Sequence, residues 1–356
     1  MLYRRLLGGL LFLLLVACTP HAHDSDYAKM NTLPLQTYCV GRLLVDLPKQ
    51  ATFSWTQDIG EAKISRLDAP IQVGASPLKA DQAFWAMVEK RKQELQSLPH
   101  QSGKGRLGEY RRIDDKIVMF LFRGDQFQDD IYDAESYLWL DHWGYQMVTG
   151  AHFDQEAREI VPTLADIFHH FTPIDNRTPP KQAGFCIDGA LVTGEVGRIS
   201  AGPTLYMTGM KGVSISVNAL ENVPPLADPA FNSAYGYLEN EEREIRQTRE
   251  SVPAWSSDPS APKEFTVLRK REHTLNGLPG QEVIYRKVFN NGKREYQFMW
   301  RDSAPQNGRM PKGVIQISFD DQPDSNQPPY PPPPEDQMFA LWDAVLNSVR
   351  PRPGAY

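Results

Sequence analysis

Two distant stretches of the chain share one pattern. Tyr38-Cys39-Val40-Gly41-Arg42-Leu43-Leu44-Val45 opens the first apolar-rich region, and Phe185-Cys186-Ile187-Asp188-Gly189-Ala190-Leu191-Val192 opens a later one. Each reads aromatic, Cys, Ile or Val, one small or polar residue, then a run ending in β-branched and apolar residues. An internal repeat constrains a fold more than any local propensity, because each copy must bury its own apolar face in a comparable way. The pattern predicts an α+β protein of two tandem related domains, an internal duplication. Each domain is expected to be a mainly antiparallel sheet packed by two helices. The boundaries read as 38–172 for the first domain, 173–183 for a proline-punctuated linker, and 184–356 for the second domain with longer loops.

The order of elements supports the repeat. Ala51-Thr52-Phe53-Ser54-Trp55-Thr56 alternates apolar and polar, the period of a half-buried strand. Phe84, Trp85, Val88 and Leu95 mark an amphipathic helix. Strands follow to about residue 149, and a second helix carries Ile160, Leu164, Phe168 and Phe171, with Pro162 inside it as a kink or as its true start. The second half replays this order. Val213-Ser214-Ile215-Ser216-Val217 alternates, Asn290-Asn291-Gly292 marks a hairpin turn, and Met338, Leu341, Trp342 and Val345 line a closing helix. The second copy carries extra polar and proline-rich stretches at 251–263, 302–312 and 320–335. One of them holds Tyr330 inside a polyproline run, which reads as a stiff arm or a plain spacer. Long loops on a repeated scaffold are where binding concentrates.

The chain begins with Arg4-Arg5 and the apolar run Leu6–Val16, the length of a signal-peptide core and too short to span a bilayer. Leu15-Val16-Ala17-Cys18 resembles a lipobox, in which Cys18 accepts lipid. Residues 1–18 therefore read as a lipoprotein signal peptide and 19–37 as a flexible tether. Several acyl chains on one cysteine anchor a protein durably. Thr19 after the cysteine, in place of Asp, points to the periplasmic leaflet of the outer membrane.

A secreted location makes disulfides permissible. Cys39 and Cys186 occupy the same place in the two copies, and either a bridge between the copies or two separately buried thiols accounts for them. The net charge of −6, with 41% hydrophobic and 23% charged residues, fits a globular chain and argues against nucleic-acid binding.

Catalytic patterns are missing from the sequence. It has no G-x-S-x-G elbow, no H-E-x-x-H helix and no phosphate-cradling loop. His142, His152 and Asp154 lie close in sequence but read as surface residues flanking one strand, so no catalytic residue, metal ligand or cofactor is assigned. The most lopsided segment holds Asp114, Asp115, Asp125, Asp129, Asp130, Asp133, Glu135 and Asp141 against only Lys116 and Arg123. Asp125, Asp129, Asp130, Asp133 and Asp141, with Tyr330, are the candidate partner-binding residues. A negative face suits capture of a basic protein surface.

The Cys-Val-Gly-Arg and Val-Asp-Leu-Pro run of the first motif, the Phe-Cys-Ile-Asp-Gly of the second, and the two-domain α+β order behind a secretory leader resemble the Tli4 family of immunity proteins. The resemblance covers nearly all of the chain beyond the leader. It implies a non-enzymatic periplasmic inhibitor that binds a cognate type VI secretion phospholipase of the Tle4 type, one monomer to one toxin, with both domains obstructing the lipase site. The other reading of the same features is an envelope lipoprotein that scaffolds a membrane complex.

Overall fold

The computed structural model describes residues 33–67, 77–207, 212–224, 232–251, 257–303, 312–320 and 333–356. The first copy of the motif is a hairpin, β1 (Leu35–Val40) and β2 (Leu43–Pro48), turning at Gly41-Arg42. Gly41 has φ 59°, and a Cβ there would lie 2.2 Å from the Ala219 Cβ, so the position accepts only glycine. A second hairpin follows, β3 (Ala51–Ile59) and β4 (Ala62–Leu67), then helix α1 (Pro77–Ser97). The meander β5 (Leu107–Arg112), β6 (Ile117–Arg123), β7 (Ile131–Leu140) and β8 (Trp143–Phe153) leads into α2 (Asp154–His169) and a short β9 (Phe171–Pro173). Pro162 sits inside α2, which runs through it as one helix.

The second half repeats the series. Hairpin β10 (Phe185–Ile187) and β11 (Ala190–Val192) precedes hairpin β12 (Ile199–Met207) and β13 (Val213–Glu221). Helix α3 (Ala234–Ser251) precedes the meander β14 (Pro262–Glu272), β15 (Gly280–Phe289), β16 (Arg294–Asp302) and β17 (Lys312–Asp320). Helix α4 (Glu335–Ser348) and β18 (Arg350–Pro351) close the chain.

The halves do not form two sheets. They share one antiparallel sheet of 12 strands, ordered β14-β15-β16-β17-β13-β12-β3-β4-β8-β7-β6-β5. From the middle outward, the first half reads β3-β4-β8-β7-β6-β5 and the second β12-β13-β17-β16-β15-β14, the same path twice. The join is the β3–β12 ladder, from Ile59↔Ile199 to Ala51↔Met207. In separate sheets both strands would be bare edges with unpaired N–H and C=O groups, and pairing them removes that liability. Sequence periodicity sees each strand's faces but not its edges, which is why two sheets were expected where one exists.

The opening hairpins are exchanged between halves. The β1–β2 hairpin lies on the second half: Arg42 makes a bidentate pair with Glu221 of β13 at 2.5 and 2.8 Å, and Leu43 lies against Gly313 of β17. Its outer strand is completed by β18 from the chain's end. The β10–β11 hairpin lies on the first half. Asp188 pairs with Arg66 of β4 at 2.8 Å, and its backbone bonds to Gln57 Oε1 and the Tyr145 hydroxyl. That hairpin is completed by β9. The two hairpins meet through backbone bonds between Gly41 and Cys186 and through a disulfide from Cys39 to Cys186. The stretch read as a linker is part of this knot. Asn176 is buried and donates to the carbonyls of Cys39 (3.0 Å) and Ile187 (2.8 Å), while its side-chain oxygen accepts from Gly189 N–H.

Both sheet faces bury apolar residues, but differently. On one face the two hairpins, α2 and α4 cover a continuous core that includes Trp300, Trp342, Phe298 and Phe168. On the other, α1 packs Phe84, Val88 and Leu95 on Val118, Phe120 and Tyr137, and α3 packs Ala234 and Leu238 on Val283, Tyr285 and Met299. Strand β6 shows why: Ile117, Met119 and Leu121 serve the first core and Val118, Phe120 and Phe122 the second, so the strand is apolar throughout.

The disulfide closes a loop of 147 residues and ties two hairpins whose docking partners lie in opposite halves. The double change Cys39→Ala with Cys186→Ala should lower stability by about 5 kcal/mol on the chain-entropy scale. Urea unfolding of the two proteins checks this, and a loss below about 1 kcal/mol would contradict the knot's importance.

Candidate partner-binding surface

The acidic segment is not one face. Asp125, Asp129 and Asp130 lie in the β6–β7 connection, and Asp141 lies in the β7–β8 turn with φ 57°. The 10-residue strand β7 separates them, a span of about 30 Å. Asp114 and Asp115 belong to the β5–β6 turn at the Asp141 end. Most of these carboxylates have local work. Asp125 Oδ1 accepts from the N–H groups of Phe127 (2.6 Å) and Gln128 (2.9 Å). Asp129 accepts from Gln101 at 3.2 Å and lies 3.8 Å from Arg123. Asp133 on β7 sits over Gly124, its Oδ2 2.8 Å from where a Cβ would stand. Asp141 lies 3.6 Å from its neighbour His142. Glu135 belongs to a different setting, buried and bound by Arg91 of α1 at 2.5 and 3.0 Å and by the Tyr137 hydroxyl at 2.8 Å. Cys18 and Tyr330, with most of the tether and the polyproline run, lie outside the described residues.

The sheet presents a second surface that the charge pattern did not reveal. Helices α1 and α3 sit on the same sheet face but over opposite ends, above β5–β7 and β14–β16. Between them, among the described residues, no helix covers the strands β17, β13, β12, β3 and β4 on that face, a width of roughly 24 Å at the usual strand spacing. Its floor is ordered in cross-strand rows. One row is Thr52, Tyr206, Ser214 and Ser318; the next is Ser54, Thr204, Ser216 and Gln316; then come Thr56, Gly202, Asn218 and Val314, and last Lys63, Asp58, Ser200 and Leu220. Thr52, Ser54 and Thr56 are exposed, and Tyr206 is 53% exposed. Some hydroxyls engage each other: Thr204 and Ser216 at 3.1 Å, and Ser200 with Asp58 at 3.3 Å. The floor is mainly polar, carries the charged pair Lys63 and Asp58 in its last row, and is assembled from both halves. The signal was present in the sequence. Most outward positions of the central strands β3, β12 and β13 are Ser, Thr or Asn, whereas a face turned only to water commonly carries Lys and Glu.

Clusters that look chemical prove structural. Glu282 of β15 is fully buried and receives Arg269 (2.8 Å), Arg271 (2.5 Å), His273 Nδ1 (2.8 Å) and the Trp342 indole N–H (2.8 Å). Four donors converge on this one carboxylate, so the group fastens α4 to β14 and β15. Burial by itself would push the Glu282 carboxyl up, but hydrogen bonds from Trp342, Arg269 and Arg271 outweigh it and hold the carboxyl below the ordinary glutamate range. His142 and His152 stand at opposite ends of β8, which removes them as a joint site. Among the described residues no group of His, Cys, Asp and Glu is arranged to hold a metal.

A carboxyl whose folded pKa is depressed adds stability above its unfolded value and loses it as pH falls through the folded one. Glu282→Gln should therefore cost about 1–3 kcal/mol at pH 7, by removing the anion that the partly exposed Arg269 and Arg271 share and leaving the buried Trp342 N–H with a weaker acceptor. The gap to the parent should close below about pH 4. Urea unfolding at pH 7 and pH 3 measures both, and an equal gap at the two pH values would refute the ionised-carboxylate account.

Comparison with known proteins bears on what this architecture is. No curated protein matches the chain in sequence. Among solved structures, the chain is similar to the apo immunity protein TplEi of the type VI secretion system from Pseudomonas aeruginosa, at 20% identity and a TM-score of 0.66, over 91% of this chain and 99% of that one. It is similar to a chain of the Tle4-Tli4 complex at 20% identity and a TM-score of 0.67, over 90% and 98%. TplEi complexed with "L" peptide gives 20% identity and a TM-score of 0.61, over 90% and 98%. At this identity the likeness establishes a shared fold. The family description comes from the sequence: residues 178–354 match the Tle cognate immunity protein 4 C-terminal domain. Through this C-terminal half the chain belongs to the Tle cognate immunity protein 4 family.

Proposed function

We propose that the chain is a non-enzymatic immunity protein that binds a type VI secretion phospholipase effector in the periplasm, one to one, and blocks its active site using both halves. The observation that carries this reading is the hydroxyl-rich floor between α1 and α3, to which each half contributes strands and one flanking helix. A rigid floor loses little conformational freedom on binding, so more of the contact energy appears as affinity. Small hydroxyls both donate and accept hydrogen bonds and let a partner's backbone approach closely. The Tle4-Tli4 complex, whose chain shares this fold, supports a protein partner of that kind. The repeated strand path supports descent of the two halves from one duplicated unit.

The amino-terminal leader completes the proposal. Lipid on Cys18, followed by a short polar tether, would hold the inhibitor at the inner leaflet of the outer membrane, where a phospholipase meets its substrate.

The direct test is co-expression. A phospholipase effector directed to the periplasm should kill cells alone, spare cells that also carry this chain, and be recovered with it in equal amounts. Ser216→Arg, a bulky charge in the middle of the floor, should weaken recovery at least tenfold with an unchanged unfolding midpoint. Absence of both rescue and recovery with the parent chain would remove the immunity reading. Separately, Cys18→Ala should abolish incorporation of labelled palmitate, and incorporation that persists would refute lipidation at this residue.

A further inference from the structure

Among the described residues, the most exposed large apolar side chain lies away from the floor. Phe127, in the β6–β7 connection, is 67% exposed, and Phe153 is 60% exposed. They share one end of the sheet, because Phe153 pairs with Ile131, the first residue after that connection. The connection is held in place from both sides. Asp125 caps the N–H groups of Phe127 and Gln128, the Gln101 side chain donates to the Phe127 carbonyl at 2.6 Å, Gln101 N–H donates to the Gln126 carbonyl at 2.9 Å, and the buried His100 ring meets the Gln128 carbonyl at 3.2 Å. The backbone is fixed while the phenyl ring faces water.

The other half shows that such a loop is not required by the fold. On the repeated strand path, β6–β7 corresponds to β15–β16, and there the connection is a tight turn at Asn291-Gly292. Its nearest aromatic, Phe289, is covered by Lys293 at 5.0 Å. The first half thus carries an added, fixed loop whose most prominent group is an uncovered phenyl ring. A ring kept in water on an ordered backbone forgoes the burial that usually orders such a residue, and aromatic groups of this kind are the common anchors of protein interfaces.

We propose that Phe127 is an aromatic anchor that enters an apolar pocket, rimmed by basic or other hydrogen-bond-donating groups, on the same effector, outside the floor. This rests on the immunity reading. Charge selects the rim. Asp129 and Asp130 are exposed beside the ring and Asp125 is half-buried below it. Of the nearby cations, the Arg106 guanidinium is engaged by the carbonyls of Gly124 and Pro99, and Arg123 lies between Asp129 and the Tyr132 ring, which leaves Lys104 as the exposed one. Carboxylates beside the ring also disfavour its insertion into an anionic bilayer.

The experiment titrates detergent-extracted full-length chain against the purified phospholipase effector of the co-expression assay. Phe127→Ala should raise Kd about thirtyfold or more and leave the unfolding midpoint unchanged. Asp130→Lys, which touches no packing, should slow association at low salt. Val267→Ser, an exposed apolar position on the edge strand β14, should match the parent. Parent-like affinity of both the Phe127→Ala and Asp130→Lys chains would overturn the anchor. Unchanged affinity in detergent combined with lost protection in cells would assign Phe127 to the membrane and also overturn it. Failure of the parent chain to bind would sink the immunity reading, and the anchor with it.

Discussion

The structure depends on the pairing of β3 with β12. Nine consecutive residue pairs join the halves there, at the one place where each half would otherwise end in an open edge. That ladder turns two six-stranded paths into one sheet and aligns the outward faces of β3, β12 and β13 into a single surface. The exchanged hairpins then hold the join from the other side. Because β1–β2 packs on the second half and β10–β11 on the first, neither half completes its core without the other. The disulfide, the Asn176 side chain and the β18 strand all converge on this crossing.

The sequence made much of this scaffold readable. Alternation identified β3 and β13, the apolar stripe identified α4, and Asn290-Asn291-Gly292 identified a turn. The repeated Cys motif marked where each half begins, though not that each copy folds as a hairpin, and both cysteines converge where the hairpins touch. What it concealed were relations between elements. Edge pairing of β3 with β12 leaves no mark in the period of either strand. Hairpin exchange reverses which half a segment packs against while leaving its pattern unchanged. For the same reason residues 173–183 looked like a spacer: prolines and polar side chains read as linker, yet Asn176 uses its polar groups inside the knot.

The candidate surfaces divide along the same line. Local charge excess drew attention to residues 114–141, but strand length scatters those carboxylates to both ends of β7, and several are occupied by turn geometry. The value of that segment is narrower than its charge suggests, and it centres on the fixed loop around Phe127. The hydroxyl floor was visible strand by strand, as Thr52-Ser54-Thr56 and Ser214-Ser216. Only register brings those short series into rows.

The proposed seat of the effector is the floor between α1 and α3. Hydrogen exchange of the complex reads this directly. An effector seated there should slow exchange in β3, β12, β13 and β17 and along the facing sides of α1 and α3, with α2 and α4 unchanged. Protection confined to α2, α4 and the hairpins, on the opposite face of the sheet, would contradict it.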